Sequence, residues 1–126
     1  NVPILNLVGK YKSWARYNYL APTPEQWLYI ISHADYVCTN SFHGVCFSII
    51  YRKPFICCAA QVGGRAKTNG RVQNLLNQTH LQDRFVSNSS QIQEKIMGGG
   101  KMFDNECYIE EYRQRSYKWL KNAIES

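Results

Sequence analysis

The sequence lacks several features that mark common protein classes. No apolar run approaches the ~20 residues that a membrane-spanning helix needs, and no signal peptide is recognisable, although a truncated amino terminus would hide one. No glycine-containing stretch matches the Walker A loop or the GxGxxG dinucleotide fingerprint. We therefore predict no membrane span, and we expect any phosphate site to be built without these loops.

The cysteines are few and show no metal-site spacing. There are five, an odd number, with neither a CxxC pair nor a Cys/His ligand pattern. Cys38, Cys57 and Cys58 fall in segments that we predict to be buried strands. Free thiols in a reducing cytosol explain this usage best, so we predict a cytoplasmic protein without a metal or a cofactor.

The charge is unbalanced toward the basic side. The formal net charge is +6, from 15 Lys and Arg against 9 Asp and Glu, which favours anionic partners. The basic residues are scattered and no nucleic-acid-binding motif is present, so nucleic acid is not the predicted partner. The chain starts without Met, inside an apolar run. We expect one domain over residues 1–126 that is a fragment of a longer protein.

The segment 34–58 organises the rest of the chain. Residues 36–38 and 55–58 are short β-prone, apolar runs, and an apolar helix follows the polar turn at Asn40 and Ser41. This pattern is a β-α-β unit with parallel strands buried on both faces. The fold class is therefore α/β, with a parallel sheet.

His43 and Gly44 lie just after the first of these strands. In open α/β sheets, ligands bind at the carboxyl ends of the strands. The amino end of a helix at that edge also offers free N–H groups and a positive dipole to an anion. The sequence thus places His43 where an anionic ligand would bind.

The flanking segments complete an alternating pattern. Thr23 is the predicted cap of a helix that starts at Pro24, and the final helix is amphipathic. The other predicted elements are a strand over residues 2–8, an aromatic and basic loop over 10–20, a glycine-rich loop over 59–70, a helix from Arg71, a short strand near 86, a helix from 89 or 90 to 97, and the final helix over 108–125.

Several linked motifs over about residues 22–86 resemble the carboxyl-terminal half of the polysaccharide pyruvyl transferase family. They are Pro24-Glu-Gln-Trp-Leu28, Ala34-Asp-Tyr-Val37, Thr39-Asn-Ser-Phe-His-Gly44, Phe47-Ser-Ile-Ile50, Lys53-Pro-Phe55, Arg71 with Leu75-Leu76, and Asp83-Arg84.

The resemblance implies a three-layer Rossmann-like domain, the second of the two domains of a GT-B-type transferase. Family members with an assigned activity transfer a pyruvyl group from phosphoenolpyruvate to a sugar of a cell-surface polysaccharide, and their histidine motif in the donor site matches His43. Many carry an Arg two residues before that histidine, where this chain has Ser41.

From this resemblance we expect His43 to act as general acid/base or to bind phosphate. Ser41 and the amides from Phe42 to Gly44 would contact the anion, and a cation would neutralise it, with Arg71 preferred. The full set of predicted substrate-binding residues is Asn40, Ser41, Phe42, Gly44, Arg65, Lys67, Asn69 and Arg71.

Two other functions stay open at this point. The same sheet edge would hold the diphosphate of a nucleotide-sugar in a GT-B-type glycosyltransferase, and a non-catalytic module of a polysaccharide-assembly complex would need no donor. The expected partners are the donor, a saccharide acceptor that is free or lipid-linked, and an amino-terminal domain of the parent chain. A position at the inner face of the membrane is left open.

Overall fold

The computed structural model describes residues 3–60, 66–97 and 105–126, and helices alternate with short parallel strands along these ranges. The elements are β1 (Leu5–Asn6), β2 (Tyr17–Asn18), α1 (Pro24–His33), β3 (Val37–Thr39), α2 (Phe42–Ile50), β4 (Phe55–Cys58), α3 (Ala66–Gln78), a 3-10 turn (Gln82–Arg84), β5 (Phe85–Val86), α4 (Ser89–Met97) and α5 (Glu106–Glu125).

The main sheet is parallel and has the strand order β3-β4-β5. The central strand β4 is an apolar run, and its residues Phe55, Ile56 and Cys57 are buried. Helix α2 connects β3 to β4, and α3 lies between β4 and β5. The α/β class and the β-α-β unit predicted from the sequence are confirmed, and the carboxyl ends of all three strands meet at one edge.

Strand β3 is less buried than its sequence predicts. Val37 is buried, but Cys38 is exposed and Thr39 half-buried. Since β3 lies at one end of the strand order, it pairs with β4 alone within the described residues. The expected burial of both faces therefore holds for β4 but is wrong for β3.

The amino-terminal segment also departs from its prediction. Within residues 3–8, the described part of the predicted strand over 2–8, only Leu5 and Asn6 are extended in a sheet. They pair in parallel with β2, inside the predicted loop 10–20. In the described ranges, β1 and β2 form a sheet of their own, separate from β3-β4-β5. The buried Asn6 explains the pairing, because its side-chain amide donates to Asn18 Oδ1 (2.8 Å) and to the Lys10 carbonyl (2.9 Å).

Helix starts were predicted with mixed success. α1 begins at Pro24 behind Thr23, whose side chain and Gln26 form a reciprocal capping box, as the sequence indicates. α3 instead begins at Ala66, five residues before the predicted start at Arg71. The glycine-rich loop is correspondingly shorter, because the single Gly70 costs a helix only about 1 kcal/mol and does not stop it.

The core lies between the main sheet and helices α1, α2, α3 and the start of α5. α5 contributes Ile109, which is buried with Val45, Leu76 and Leu81. Beyond Tyr112 its residues are exposed. None of the helices in the described ranges combines the length and apolar character needed to cross a bilayer.

Candidate functional site

His43 occupies the first turn of α2, directly after the carboxyl end of β3. Ser41 is the N-cap residue, and its hydroxyl accepts a hydrogen bond from the Gly44 amide at 3.4 Å. The amides of Phe42 and His43 have no acceptor inside the helix, since the first turn of any helix leaves its N–H groups without one. His43 is exposed, so its side chain is accessible to solvent at this end of α2.

Gly44 sets how closely α2 approaches β3. A Cβ at this position would lie 2.4 Å from Thr39 Oγ1 and 3.0 Å from Thr39 Cβ. Thr39 Oγ1 also accepts a hydrogen bond from the Ser41 amide at 3.0 Å. The Thr39 side chain therefore fixes the turn that carries Ser41 and His43, and it does so only because residue 44 has no side chain.

A shallow pocket of about 410 Å³ opens beside His43. Its polar lining comes from Ser41 and His43, while the rest of the wall is apolar. Trp27 and Phe47 pack edge to face in that wall, with ring centroids 5.6 Å apart. The lining residues are Pro22, Pro24, Trp27, Leu28, Ser41, His43 and Phe47.

Arg71 is the predicted cation that the structure brings to the start of α2. Its guanidinium lies over the Phe42 ring, 5.1 Å from the centroid, and the Phe42 ring in turn meets the His43 ring edge-on with centroids 6.1 Å apart. The Arg71 side chain is exposed. The Phe42 ring thus packs against both the Arg71 guanidinium on α3 and the His43 ring on α2.

The structure describes the other predicted binding residues to different extents. Arg65 lies outside the described residues. Lys67 belongs to α3, and only its backbone is described. Asn40 is exposed at the turn between β3 and α2.

Asn69 is engaged with the backbone. Its Nδ2 donates to the Ala60 carbonyl and its Oδ1 accepts from the Ala60 amide, both at 3.0 Å. This pair of bonds ties α3 to the residues that follow β4. The geometry therefore gives Asn69 a positioning contact at the sheet edge.

The cysteines near the sheet are poor nucleophiles. Burial raises the pKa of the Cys57 thiol to about 11, with a smaller contribution from Cys58. Burial likewise raises the pKa of Cys46 and Cys58. These three thiols are protonated at neutral pH and are therefore weak nucleophiles.

Sequence reasoning missed the apolar wall of the site. Pro22, Leu28 and Phe47 line the pocket together with Trp27, and the predicted site residues include none of the four. The available signal was the Pro22-Thr-Pro24 turn, which starts α1 close to the motif that contains His43. Among the described residues, no group of three or more His, Cys, Asp or Glu side chains could hold a metal ion.

The comparison with known families agrees with the sequence motifs. The model of the polysaccharide pyruvyl transferase family matches residues 4–61, just under half of the chain. This match begins earlier than the resemblance over residues 22–86 and ends before α3, but it contains β3, α2 and β4 with the whole histidine motif. No curated protein and no solved structure matches the chain significantly. Residues 4–61 are therefore similar to the polysaccharide pyruvyl transferase family.

Proposed function

We propose that this chain is the donor-binding domain of a polysaccharide pyruvyl transferase-like enzyme, which transfers the pyruvyl group of phosphoenolpyruvate to a sugar of a cell-surface polysaccharide. One observation carries the proposal. His43 lies in the first turn of α2, at the carboxyl edge of a parallel sheet, inside the segment that matches the family. This arrangement combines an acid/base group with an anion-binding helix end.

The reaction has defined requirements. A proton is added to the methylene carbon of phosphoenolpyruvate, and a sugar hydroxyl attacks the neighbouring carbon and loses its proton. Phosphate then leaves with the electron pair of its C–O bond, and a second hydroxyl, losing its proton, closes the ketal. The site must therefore supply one group that exchanges protons near neutral pH and several donors for phosphate and carboxylate.

The residues around His43 meet these requirements. The imidazole of His43 delivers the proton or receives it from the hydroxyl. The free amides of Phe42 and His43, with the dipole of α2, bind the phosphate. Ser41 occupies the position of the family's Arg, and its hydroxyl accepts a hydrogen bond from the Gly44 amide. Because Ser41 carries no charge, Arg71 supplies the missing positive charge from α3.

The apolar pocket suits the uncharged part of the substrates. Trp27 and Pro22 offer flat apolar surfaces, and the CH faces of a sugar ring pack on such surfaces. We place the sugar that receives the pyruvyl group against this wall, with His43 between it and the donor. The chain would be the second of two Rossmann-like domains of a GT-B-type architecture, and the first domain would complete acceptor recognition.

The test is pyruvyl transfer by the full-length protein. Because general acid/base catalysis contributes about 10²–10⁴-fold, His43→Ala is expected to lower turnover by that factor. His33→Ala is the matched control, since His33 lies at the far end of α1, stacked on Tyr29 with centroids 4.0 Å apart, and outside the pocket. Equal turnover by wild type and His43→Ala would contradict the proposed role.

The role of Arg71 has its own prediction. A hydrogen bond to a charged group contributes about 1.5–3 kcal/mol, so Arg71→Ala is expected to weaken phosphoenolpyruvate binding by roughly 10- to 150-fold, measured as the dissociation constant by calorimetry. Arg16→Ala removes an equal charge from the β2 region and should leave the constant unchanged.

The family's own arrangement provides a rescue experiment. Introducing Ser41→Arg into the Arg71→Ala protein returns a guanidinium to the site and should restore part of the affinity. If Arg71→Ala binds phosphoenolpyruvate as tightly as wild type, the donor charge comes from another residue.

A further inference from the structure

The carboxyl-terminal half of α5 extends past the core. Ile109 is 6% exposed, whereas Tyr117, Trp119 and Ile124 are 65%, 72% and 74% exposed. Arg115 donates a hydrogen bond to Gln78 Oε1 at 2.9 Å. This is the hydrogen bond farthest along α5 that reaches another element of the described residues. About ten residues of helix therefore lie beyond the described fold with large apolar side chains in solvent.

These side chains share one side of the helix. At 3.6 residues per turn, Leu120 and Ile124 fall within about 60° of the direction of the buried Ile109. Trp119 and Tyr117 border this strip on its two sides. We call the strip formed by Tyr112, Ser116, Tyr117, Trp119, Leu120, Ala123 and Ile124 the α5 face.

Basic residues surround the α5 face. Residues 112–126 contain four cations and one acid, Glu125, which pairs with Lys121 at 3.9 Å. Arg113 falls within the strip, Arg115 and Lys121 flank it, and Lys118 lies opposite it. In the amino-terminal half, Glu106 pairs with Arg52, and Glu110 pairs with Arg113 and Gln114. The third acid there, Glu111, lies on the side of the helix opposite the strip.

This charge distribution argues against a second copy as the occupant. Two copies of the face in parallel would bring like charges together. An antiparallel pair would need the acids of the amino-terminal half, but Glu106 and Glu110 are paired within the chain and Glu111 lies on the opposite side of the helix. A negatively charged flat surface complements the cations and accepts the apolar strip at the same time.

We propose that the α5 face docks on an anionic lipid surface. Helices that lie in a membrane interface have Lys and Arg on the polar side and Trp and Leu on the other. Trp and Tyr are amphipathic and favour the boundary between apolar and polar regions, where Trp119 and Tyr117 are located. The proposal is independent of the donor assignment, because it uses no residue of the His43 site.

Sedimentation of the full-length protein with vesicles tests the proposal. Vesicles of phosphatidylglycerol and phosphatidylcholine should bind the protein at low salt, vesicles of phosphatidylcholine alone should not, and 0.5 M salt should release it through screening. Each Lys or Arg near an anionic surface contributes roughly fivefold to partitioning. Arg115→Gln with Lys121→Gln, which removes the two cations that flank the strip, is therefore expected to lower the partition coefficient roughly 20- to 30-fold.

Two matched controls separate docking from general charge attraction. Lys10→Gln with Lys12→Gln changes the net charge equally, and Trp14→Ser removes an aromatic ring that is 65% exposed; both should bind as wild type. Trp119→Ser with Ile124→Ser keeps every charge and should lose most of the binding. These side chains are exposed except that of Lys12, which is half-buried, and none belongs to the core, so the variants should fold.

Several results would overturn the proposal. One is the absence of binding to anionic vesicles at low salt, for instance because another part of the protein covers the face. Another is an equal loss in the α5 and loop variants, which would indicate attraction to any polyanion, nucleic acid included. A third is concentration-dependent dimerisation that disappears in Trp119→Ser with Ile124→Ser, which would assign the face to a second copy.

Discussion

Gly44 determines the geometry around His43 at the level of single residues. Its missing side chain lets Thr39 reach the start of α2, where Thr39 Oγ1 accepts from the Ser41 amide. The sequence predicted that His43, Ser41 and Gly44 would lie together, because they are neighbours in one turn. It could not predict the contact with Thr39 as a reason for the glycine, since that contact depends on how the helix packs on the strand.

Substitution of Gly44 tests this packing. Gly44→Ala would force a Cβ to 2.4 Å from Thr39 Oγ1, and overpacking costs about 1–3 kcal/mol against a gain in helix propensity of about 1 kcal/mol. We expect the free energy of unfolding, measured by urea denaturation, to fall by up to about 2 kcal/mol.

Gly70 provides the matched control in α3. A Cβ there meets nothing within 4 Å, so Gly70→Ala should raise the free energy of unfolding by about 0.5–1 kcal/mol. If both substitutions stabilise the protein, Gly44 is not held by steric contact with Thr39.

Asn69 has a contact that its sequence context does not reveal. The sequence predicts it as a substrate-binding residue within the glycine-rich loop over residues 59–70. In the structure, both polar atoms of its amide pair with the Ala60 backbone, nine residues earlier, and its role in substrate binding stays a prediction. A polar residue in a loop looks the same in sequence whether it awaits a ligand or holds the main chain.

The β3-α2-β4 unit was predictable at the level of elements because its signals are local. Apolar runs define β3 and β4, and the cap at Ser41 starts α2 at the residue that the sequence indicates. The β1 and β2 pair was not predictable, since it depends on a buried hydrogen bond between Asn6 and Asn18, twelve residues apart. Strands of two residues with polar side chains show no repeating apolar pattern, so sequence periodicity does not detect them.

The caps of α1 and α2 can be compared directly. Loss of an N-cap side chain costs about 1 kcal/mol, so Ser41→Ala and Thr23→Ala should each lower the free energy of unfolding by about that amount. Only Ser41 lies at the proposed donor site. We therefore expect Ser41→Ala to weaken phosphoenolpyruvate binding, measured by calorimetry, and Thr23→Ala to leave it unchanged. Equal binding by both variants would show that Ser41 does not contribute to donor binding.

An ion pair holds α5 to the rest of the molecule. Arg52 has a positive φ of 54°. Its Nε and Nη2 atoms donate to the two carboxylate oxygens of Glu106, both at 2.5 Å. Hydrogen bonding from Arg52 lowers the pKa of Glu106 below its ordinary value of 4.5. The pair joins the turn after α2 to the start of α5, a contact that sequence patterns do not reveal across 54 positions.

The lowered pKa has a consequence for stability. Because the folded state holds the carboxylate ionised more strongly than the unfolded state, the contribution is complete above pH 4.5 and is lost as the pH falls through the lower folded-state value. We expect the melting temperature to fall less steeply below pH 4.5 in Glu106→Gln than in wild type. Glu111→Gln, on the same helix, should follow the wild-type profile, and identical slopes for all three proteins would contradict a stabilising pair.

At the scale of the whole molecule, we propose that it binds phosphoenolpyruvate at His43. The most direct measurement is a thermal-shift titration with phosphoenolpyruvate, uridine diphosphate and inorganic phosphate, on the wild type, His43→Ala and His33→Ala. A ligand at 100 times its dissociation constant stabilises by about 2.7 kcal/mol, a shift of several degrees for a domain of this size. We predict a shift specific to phosphoenolpyruvate that His33→Ala keeps and His43→Ala loses. A shift with uridine diphosphate instead, or an undiminished phosphoenolpyruvate shift in His43→Ala, would contradict it.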